Sequence, residues 1–196
     1  MSEINGGNEK YLPCRDYFKS MKPGRFYDDV LRRGTFSHRM GGVPFSIKVS
    51  VQGAVIVSLH LGEAPARSDD RMTDPFMITV RETLIAFLNN EIKDLSHLPL
   101  DLSRCAPFER DVLLAARTIP WGKTISYAGL AMKAGHPGAA RAAASAMRNN
   151  PFPLIIPCHR VIRSNGSIGG FMGKTAGKEI GLKLLLLERE GVRPGK

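Results

Sequence analysis

A cysteine lies between a proline and a histidine, with an arginine next, in the run Ile155-Ile156-Pro157-Cys158-His159-Arg160-Val161. The thiolate is the nucleophilic form of cysteine. With an ordinary pKa of about 8.5, only a few per cent is present at neutral pH, and adjacent cations draw the value down. His159 and Arg160 stand where they could supply that field. A buried core cysteine is the competing reading, because free cysteine is among the most buried residue types. Two polar neighbours make a poor core, however, and the run leads into Arg163-Ser164-Asn165-Gly166-Ser167, a surface turn by composition. The chemistry that fits is nucleophilic attack by a thiolate.

The apolar residues ahead of Cys158 read as a buried strand or its exit. Before them, Pro107 stands at a helix N1 position with Phe108, Val112 and Ala116 at helical spacing. Ser126 can cap a short helix to about Lys133, ended by Gly135. Pro137 then opens a second helix from Gly138 to about Arg148, stopped by Asn149-Asn150-Pro151. Two helices joined by a tight turn make a helix-turn-helix candidate. The second is unusually slim, Ala139-Ala140-Arg141-Ala142-Ala143-Ala144-Ser145-Ala146. It suits close packing by good helix formers, and equally a helix pressed into a nucleic-acid groove, with Arg141 and Arg148 on the phosphates. A last helix turns Ile180, Leu184 and Leu187 to the core and ends at Glu190-Gly191. In the first half, residues 1–43 read as a surface wrap with a short helix around 26–33. Phe45, Ile47, Val49 and Val51 alternate with polar residues before Gln52-Gly53, and Val55–Leu59 completes a β-hairpin with a two-residue turn. Met77, Val80, Leu84, Phe87 and Leu88 then define an amphipathic helix over about 76–92. A linker at about 93–106 divides the chain into an N-terminal α/β domain, residues 1–100, and a second domain, residues 101–196.

The 196 residues carry a formal charge of +10, and its placement is uneven. Residues 1–100 hold 13 Lys and Arg against 12 Asp and Glu, whereas residues 101–196 hold 15 against 6. No carboxylate occurs between Asp111 and Glu179, a footprint for a polyanion, with nucleic acid the leading partner. Three cysteines, Cys14, Cys105 and Cys158, form no C-x-x-C pair, which argues against a disulfide framework and a zinc ribbon. The first residues show no secretory pattern, and no apolar run approaches the ~18 residues of a membrane span. A soluble, cytoplasmic protein in a reducing setting, bound to no membrane, is the expectation.

From Pro107 to Gly191 the chain closely resembles the O6-alkylguanine-DNA alkyltransferase family. The match is carried by Ile125-Ser126-Tyr127, Arg141-Ala142, Ala146-Met147-Arg148, Asn150-Pro151, Ile156-Pro157-Cys158-His159-Arg160-Val161 and Glu190-Gly191, in the family's order. The resemblance implies an α/β (α+β) fold, with a ribonuclease-H-like N-terminal domain and a winged-helix-like, helix-turn-helix DNA-binding domain after it. It implies that the protein moves an alkyl group from O6-alkylguanine in double-stranded DNA onto Cys158, irreversibly, as a monomer and with no cofactor; O4-alkylthymine is a second candidate base. His159 would act through a water, Glu190 would orient it, and Asn150 would shape the turn before the cysteine. Arg141 would fill the gap left by the flipped base, Tyr127 would crowd the rotating phosphate, and Ala142, Ser145 and Arg148 would complete the DNA face. The segment from Cys158 to Glu190 is about five residues longer than the family's, with the excess around 173–181, so no loop hydroxyl is carried over and Thr175 is left unassigned.

Residue chemistry bears on these roles. Adjacent residues on a regular element do not face each other, so Cys158 and His159 are expected to meet through a water. Glu188 rivals Glu190 as the histidine's partner, but the two lie about 200° apart on a helix, and Glu190 returns to the face of Leu187. A lesion-binding relative without the cysteine and a winged-helix regulator both leave Cys158 unexplained, and a cysteine phosphatase needs C-x5-R where this chain has C-x4-R to Arg163. Cys14 with His38 or His60 could hold a structural zinc, but the paired ligand spacing of such sites is missing.

Overall fold

A computed structural model describes residues 30–63 and 73–195. Three strands, β1 (Leu31–Met40), β2 (Val43–Gln52) and β3 (Val55–Glu63), form an antiparallel sheet in the order β1-β2-β3, with Phe36 opposite Ile47 and Val49 opposite Leu59. The hairpin turn begins at Gly53, whose positive φ suits a glycine. Helix α1 (Pro75–Leu88) starts at Asp74, whose carboxylate accepts from the Met77 N–H and pairs with Arg32 of β1. It buries Phe76, Val80, Leu84 and Phe87, in one continuous core with Phe36, Ile47, Val51 and Leu59.

The segment after α1 runs back along β3, where the Ile56 N–H donates to Pro99 O and the Asp101 N–H to Ile56 O, each at 2.9 Å. It leads into α2 (Pro107–Arg117), which opens on Pro107 as the sequence implies and buries Val112, Leu113 and Ala116. Helix α3 (Tyr127–Lys133) is capped by Ser126, whose Oγ accepts from the Gly129 N–H. Helix α4 (Ala140–Arg148) follows after a tight turn, which is fixed to α2 by His136 Nε2 on Asp111 Oδ2 at 2.9 Å and by the His136 ring against Phe108. Short strands β4 (Ile125–Ser126) and β5 (Val161–Ile162) pair in parallel, and α5 (Lys178–Arg189) closes the fold. The architecture is α+β, as expected.

Five local expectations need correction. The helix around 26–33 gives way to β1 from Leu31 onward, and residues 26–29 lie outside the described residues. The inward positions of β1 are Arg32, Gly34, Phe36, His38 and Met40, only two of them clearly apolar, so the strand's alternation is invisible in composition. Helix α1 ends at Leu88 rather than near residue 92, because Asn90 turns to positive φ. Helix α4 begins two residues after Gly138, since Gly138 has a φ of +84° and belongs to the turn. Residues 155–157 form a turn rather than a strand; the strand follows the cysteine instead of preceding it. On α5, Leu184 is exposed and Lys183 is buried in its place.

Candidate active site

The cysteine sits in a single turn of 3-10 helix, Cys158–Arg160, held at both ends. Upstream, Asn150 spans the preceding turn: its Nδ2 donates to Ile156 O at 2.9 Å and its Oδ1 accepts from the Phe152 N–H at 3.0 Å. The Leu59 N–H of β3 donates to Pro151 O at 2.8 Å, tying this turn to the N-terminal sheet. Downstream, Val161 enters the β4–β5 pair. A turn anchored at both ends fixes the position of the sulfur. Such positioning is what a reacting nucleophile requires.

His159, Arg160 and Glu190 are all buried and form one cluster. Glu190, at the C-cap of α5, receives His159 Nε2 at 2.8 Å, Arg160 Nε at 2.9 Å on its other oxygen, and the Gly122 N–H at 3.1 Å. Arg160 Nη1 donates to Ile119 O at 2.6 Å. Gly122 has a φ of +71°, and a Cβ there would lie 3.0 Å from Glu190 O, so a side chain has no room. Glu188 is exposed, so Glu190 is the partner of His159, although Lys183 rather than Leu184 marks the buried face. Burial pushes the Glu190 carboxyl up, but the hydrogen bonds and charges of His159 and Arg160 together hold it below its ordinary value. Burial pushes His159 down, so the ring is neutral, with Nε2 donating to the carboxylate. Its Nδ1 is buried and has no protein partner among the described residues, leaving a lone pair that can take a proton relayed by water.

The field on the thiol has a different source from the one expected. Arg160 is committed to Glu190 and His159 is neutral, so neither supplies a free positive charge. Lys183 does. Its ammonium is fully buried and donates only to carbonyl oxygens: Val161 at 2.6 Å, Ile168 at 2.7 Å and Gly170 at 3.0 Å. Burial holds the Cys158 thiol above its ordinary value, against the expected lowering, and the Asn150 side chain and the Lys183 charge offset this only in part. The Lys183 ammonium itself is lowered by burial to about 8, with Cys158 acting to raise it. Sequence reading missed Lys183 because a lysine at a helical core position looks like a break in the apolar face. Its spacing from Leu186, Leu187 and Glu190 was the available signal.

Cys158 lines a cavity of about 160 Å³ together with Tyr127, Met147, Phe171 and Met172. Tyr127, at the start of α3, is half-buried, and a Cβ on Gly169 would lie 3.2 Å from its hydroxyl. Burial and the Cys158 charge both push its phenol up. Tyr127 is thus a wall of the cavity as well as a candidate for the phosphate role. Helix α4 turns Ala143, Ala146 and Met147 inward and leaves Arg141, Ala142, Ser145 and Arg148 exposed, with Arg148 at the cavity's rim. Arg141, Ala142, Ser145 and Arg148 therefore lie on one side of one helix, while Tyr127, the other residue named for DNA contact, stands on α3. Cys105 lies apart and half-buried, Cys14 lies outside the described residues, and no helix among the described residues is long and apolar enough to cross a membrane.

A cysteine-centred site set against a basic helix-turn-helix defines the class. The model of the 6-O-methylguanine DNA methyltransferase DNA-binding domain matches residues 107–192. The methylated-DNA–protein-cysteine methyltransferase of Methanothermobacter thermautotrophicus is 43% identical over 111 residues, 57% of this chain and 59% of its own length. A DNA base-flipping protein of Thermus thermophilus is 39% identical over 114 residues, 58% of this chain and 73% of its own. The crystal structure of O6-methylguanine methyltransferase from Mycobacterium tuberculosis is 30% identical and superposes with a TM-score of 0.60, over 81% of this chain and 93% of that one. The chain belongs to the O6-methylguanine DNA methyltransferase family. It spans about six-tenths of the archaeal relative's length.

Proposed function

We propose that this protein repairs DNA by extruding an O6-alkylated guanine from the duplex and transferring the alkyl group to Cys158, once per molecule. The observation that carries the reading is a buried thiol lining a cavity beside an exposed basic helix, with a neutral histidine and its carboxylate behind it. A base within the stack cannot offer its alkyl carbon to a thiolate, so the nucleotide is flipped at a cost of a few kcal/mol. Arg141 occupies the vacated gap; Ala142, Ser145 and Arg148 lie along the backbone, and Tyr127 crowds the phosphate as it rotates. His159 Nδ1 takes the thiol proton through water, Glu190 stabilises the charge this creates, and Lys183 faces the thiolate. The sulfur attacks the alkyl carbon, the carbon–O6 bond breaks with its electron pair moving to guanine, and the proton returns to the base. The product is a thioether. It offers no carbonyl to water and no good leaving group, so the protein is spent.

In this reading residues 1–100 form a ribonuclease-H-like domain that braces the cysteine turn through Leu59, and residues 101–196 a winged-helix-like domain that carries the chemistry. The protein acts as a monomer, cytoplasmic and associated through DNA with the nucleoid or nucleus, and O4-alkylthymine is the second base it would accept. Cys158→Ala separates chemistry from binding, because phosphate contacts and not the thiol hold the duplex. The variant is expected to bind duplex DNA nearly as tightly as the parent and to leave O6-methylguanine untouched. Continued loss of the lesion with Cys158→Ala would move the acceptor elsewhere.

A further inference from the structure

The segment just before α5 builds a wall of the cavity. The Phe171 N–H donates to Lys174 O and the Lys174 N–H to Phe171 O, both at 2.9 Å. Between them Met172 and Gly173 have φ of +48° and +79°, the pair of positive values that marks a type I′ two-residue turn. A turn of this kind is stiff. It fixes Lys174 and Thr175 on the cavity lining instead of leaving them on a loose loop. From the opposite side, Arg148 of α4 leans onto the same turn: a Cβ on Gly173 would lie 3.6 Å from Arg148 Nε. Two cations therefore flank one small cavity, no carboxylate is among its lining residues, and neither cation has an ion-pair partner among the described residues.

A neutral alkyl group gains nothing from such a bracket. A substituent ending in an anion does, because its charge is repelled both by the thiolate that must attack it and by the surrounding phosphates, and the two exposed cations at the cavity's rim offset that repulsion. We propose that Arg148 and Lys174 make this cavity selective for an O6 substituent that ends in a carboxylate, such as carboxymethyl, over a neutral substituent of the same size. The inference rests on the alkyl-transfer reading above. The step itself is unchanged: the Cys158 sulfur bonds the methylene carbon, the methylene–O6 bond breaks with its electron pair going to guanine, the thiol proton ends on the base, and the carboxylate leaves attached to sulfur.

The comparison that isolates charge uses duplexes carrying O6-carboxymethylguanine or O6-carbamoylmethylguanine, which share size and the activating carbonyl and differ in the anion. Because both duplexes have the same phosphates, the ratio of their single-turnover rates cancels any role of the two cations in holding DNA. The parent protein is expected to favour the carboxylate. Lys174→Met and Arg148→Met are each expected to lower the ratio about three- to fivefold, the order set by losing one exposed ion pair, whatever happens to the absolute rates. A parent preference for the amide, or a ratio left unchanged by both variants, would overturn the proposal and leave the cations as phosphate contacts. Failure of the parent to accept O6-methylguanine from a duplex would instead overturn the alkyl-transfer reading beneath it.

Discussion

Glu190 accepts from three directions inside the protein, and removing its charge would leave Arg160 buried without a counter-ion. Breaking a buried pair from one side costs about 3–5 kcal/mol, whereas an exposed glutamate such as Glu188 contributes within about 0.5 kcal/mol. Glu190→Gln should therefore lower both the unfolding free energy and the transfer rate, and Glu188→Gln should change neither; urea titration alongside single-turnover kinetics reads both. The same cluster sets the response to acid. His159 and Glu190 are each held below their ordinary values of 6.5 and 4.5, so the unfolded chain takes up protons before the folded one and stability rises with pH. Unfolding free energy should fall as pH drops below 6.5 through His159, and again below 4.5 as Glu190 protonates. Glu190→Gln should shrink the second fall, to which the lowered carboxyls of Asp94 and Asp101 also contribute, and a parent profile flat from pH 7 to 4 would mean that neither group is buried as described.

Helix α4 is slim on its outer side, where Ala142 and Ser145 stand between Arg141 and Arg148. That lets its backbone approach a groove. Arg141→Ala should slow transfer from a duplex far more than reaction with the free base O6-benzylguanine, since only the duplex requires extrusion and a filler for the gap. Equal losses on the two substrates would make Arg141 a structural residue. At this scale the sequence was most readable where chemistry and caps coincide: Ser126, Pro107, Asn150 and the Cys158-His159 pair stand where their types imply. It was least readable where a residue acts against its type. Lys183 is a charge in a core position, held there by three carbonyls supplied by distant segments. The inward positions of β1 include an arginine and a histidine, which no alternation rule finds, and the wall formed by Met172 and Lys174 depends on a turn whose register only the folded chain fixes.

Across the whole molecule the two halves divide positioning from contact. The near-neutral first half braces the cysteine turn through Leu59 and the edge of β3, and the second half carries nearly all of the excess positive charge. Binding to duplex DNA should accordingly weaken with salt, with a log–log slope near −0.9 for each phosphate neutralised. A slope near zero, measured by fluorescence anisotropy, would detach the charge asymmetry from DNA. The central claim, that Cys158 receives the alkyl group and keeps it, is tested most directly by mass. After incubation with excess O6-methylguanine duplex, the intact protein should gain a single CH2 unit, located by peptide mapping on Cys158, with repaired guanine reaching a plateau at one equivalent per active molecule. Repair that continues past that plateau, or a protein whose mass does not change while the lesion disappears, would contradict the account.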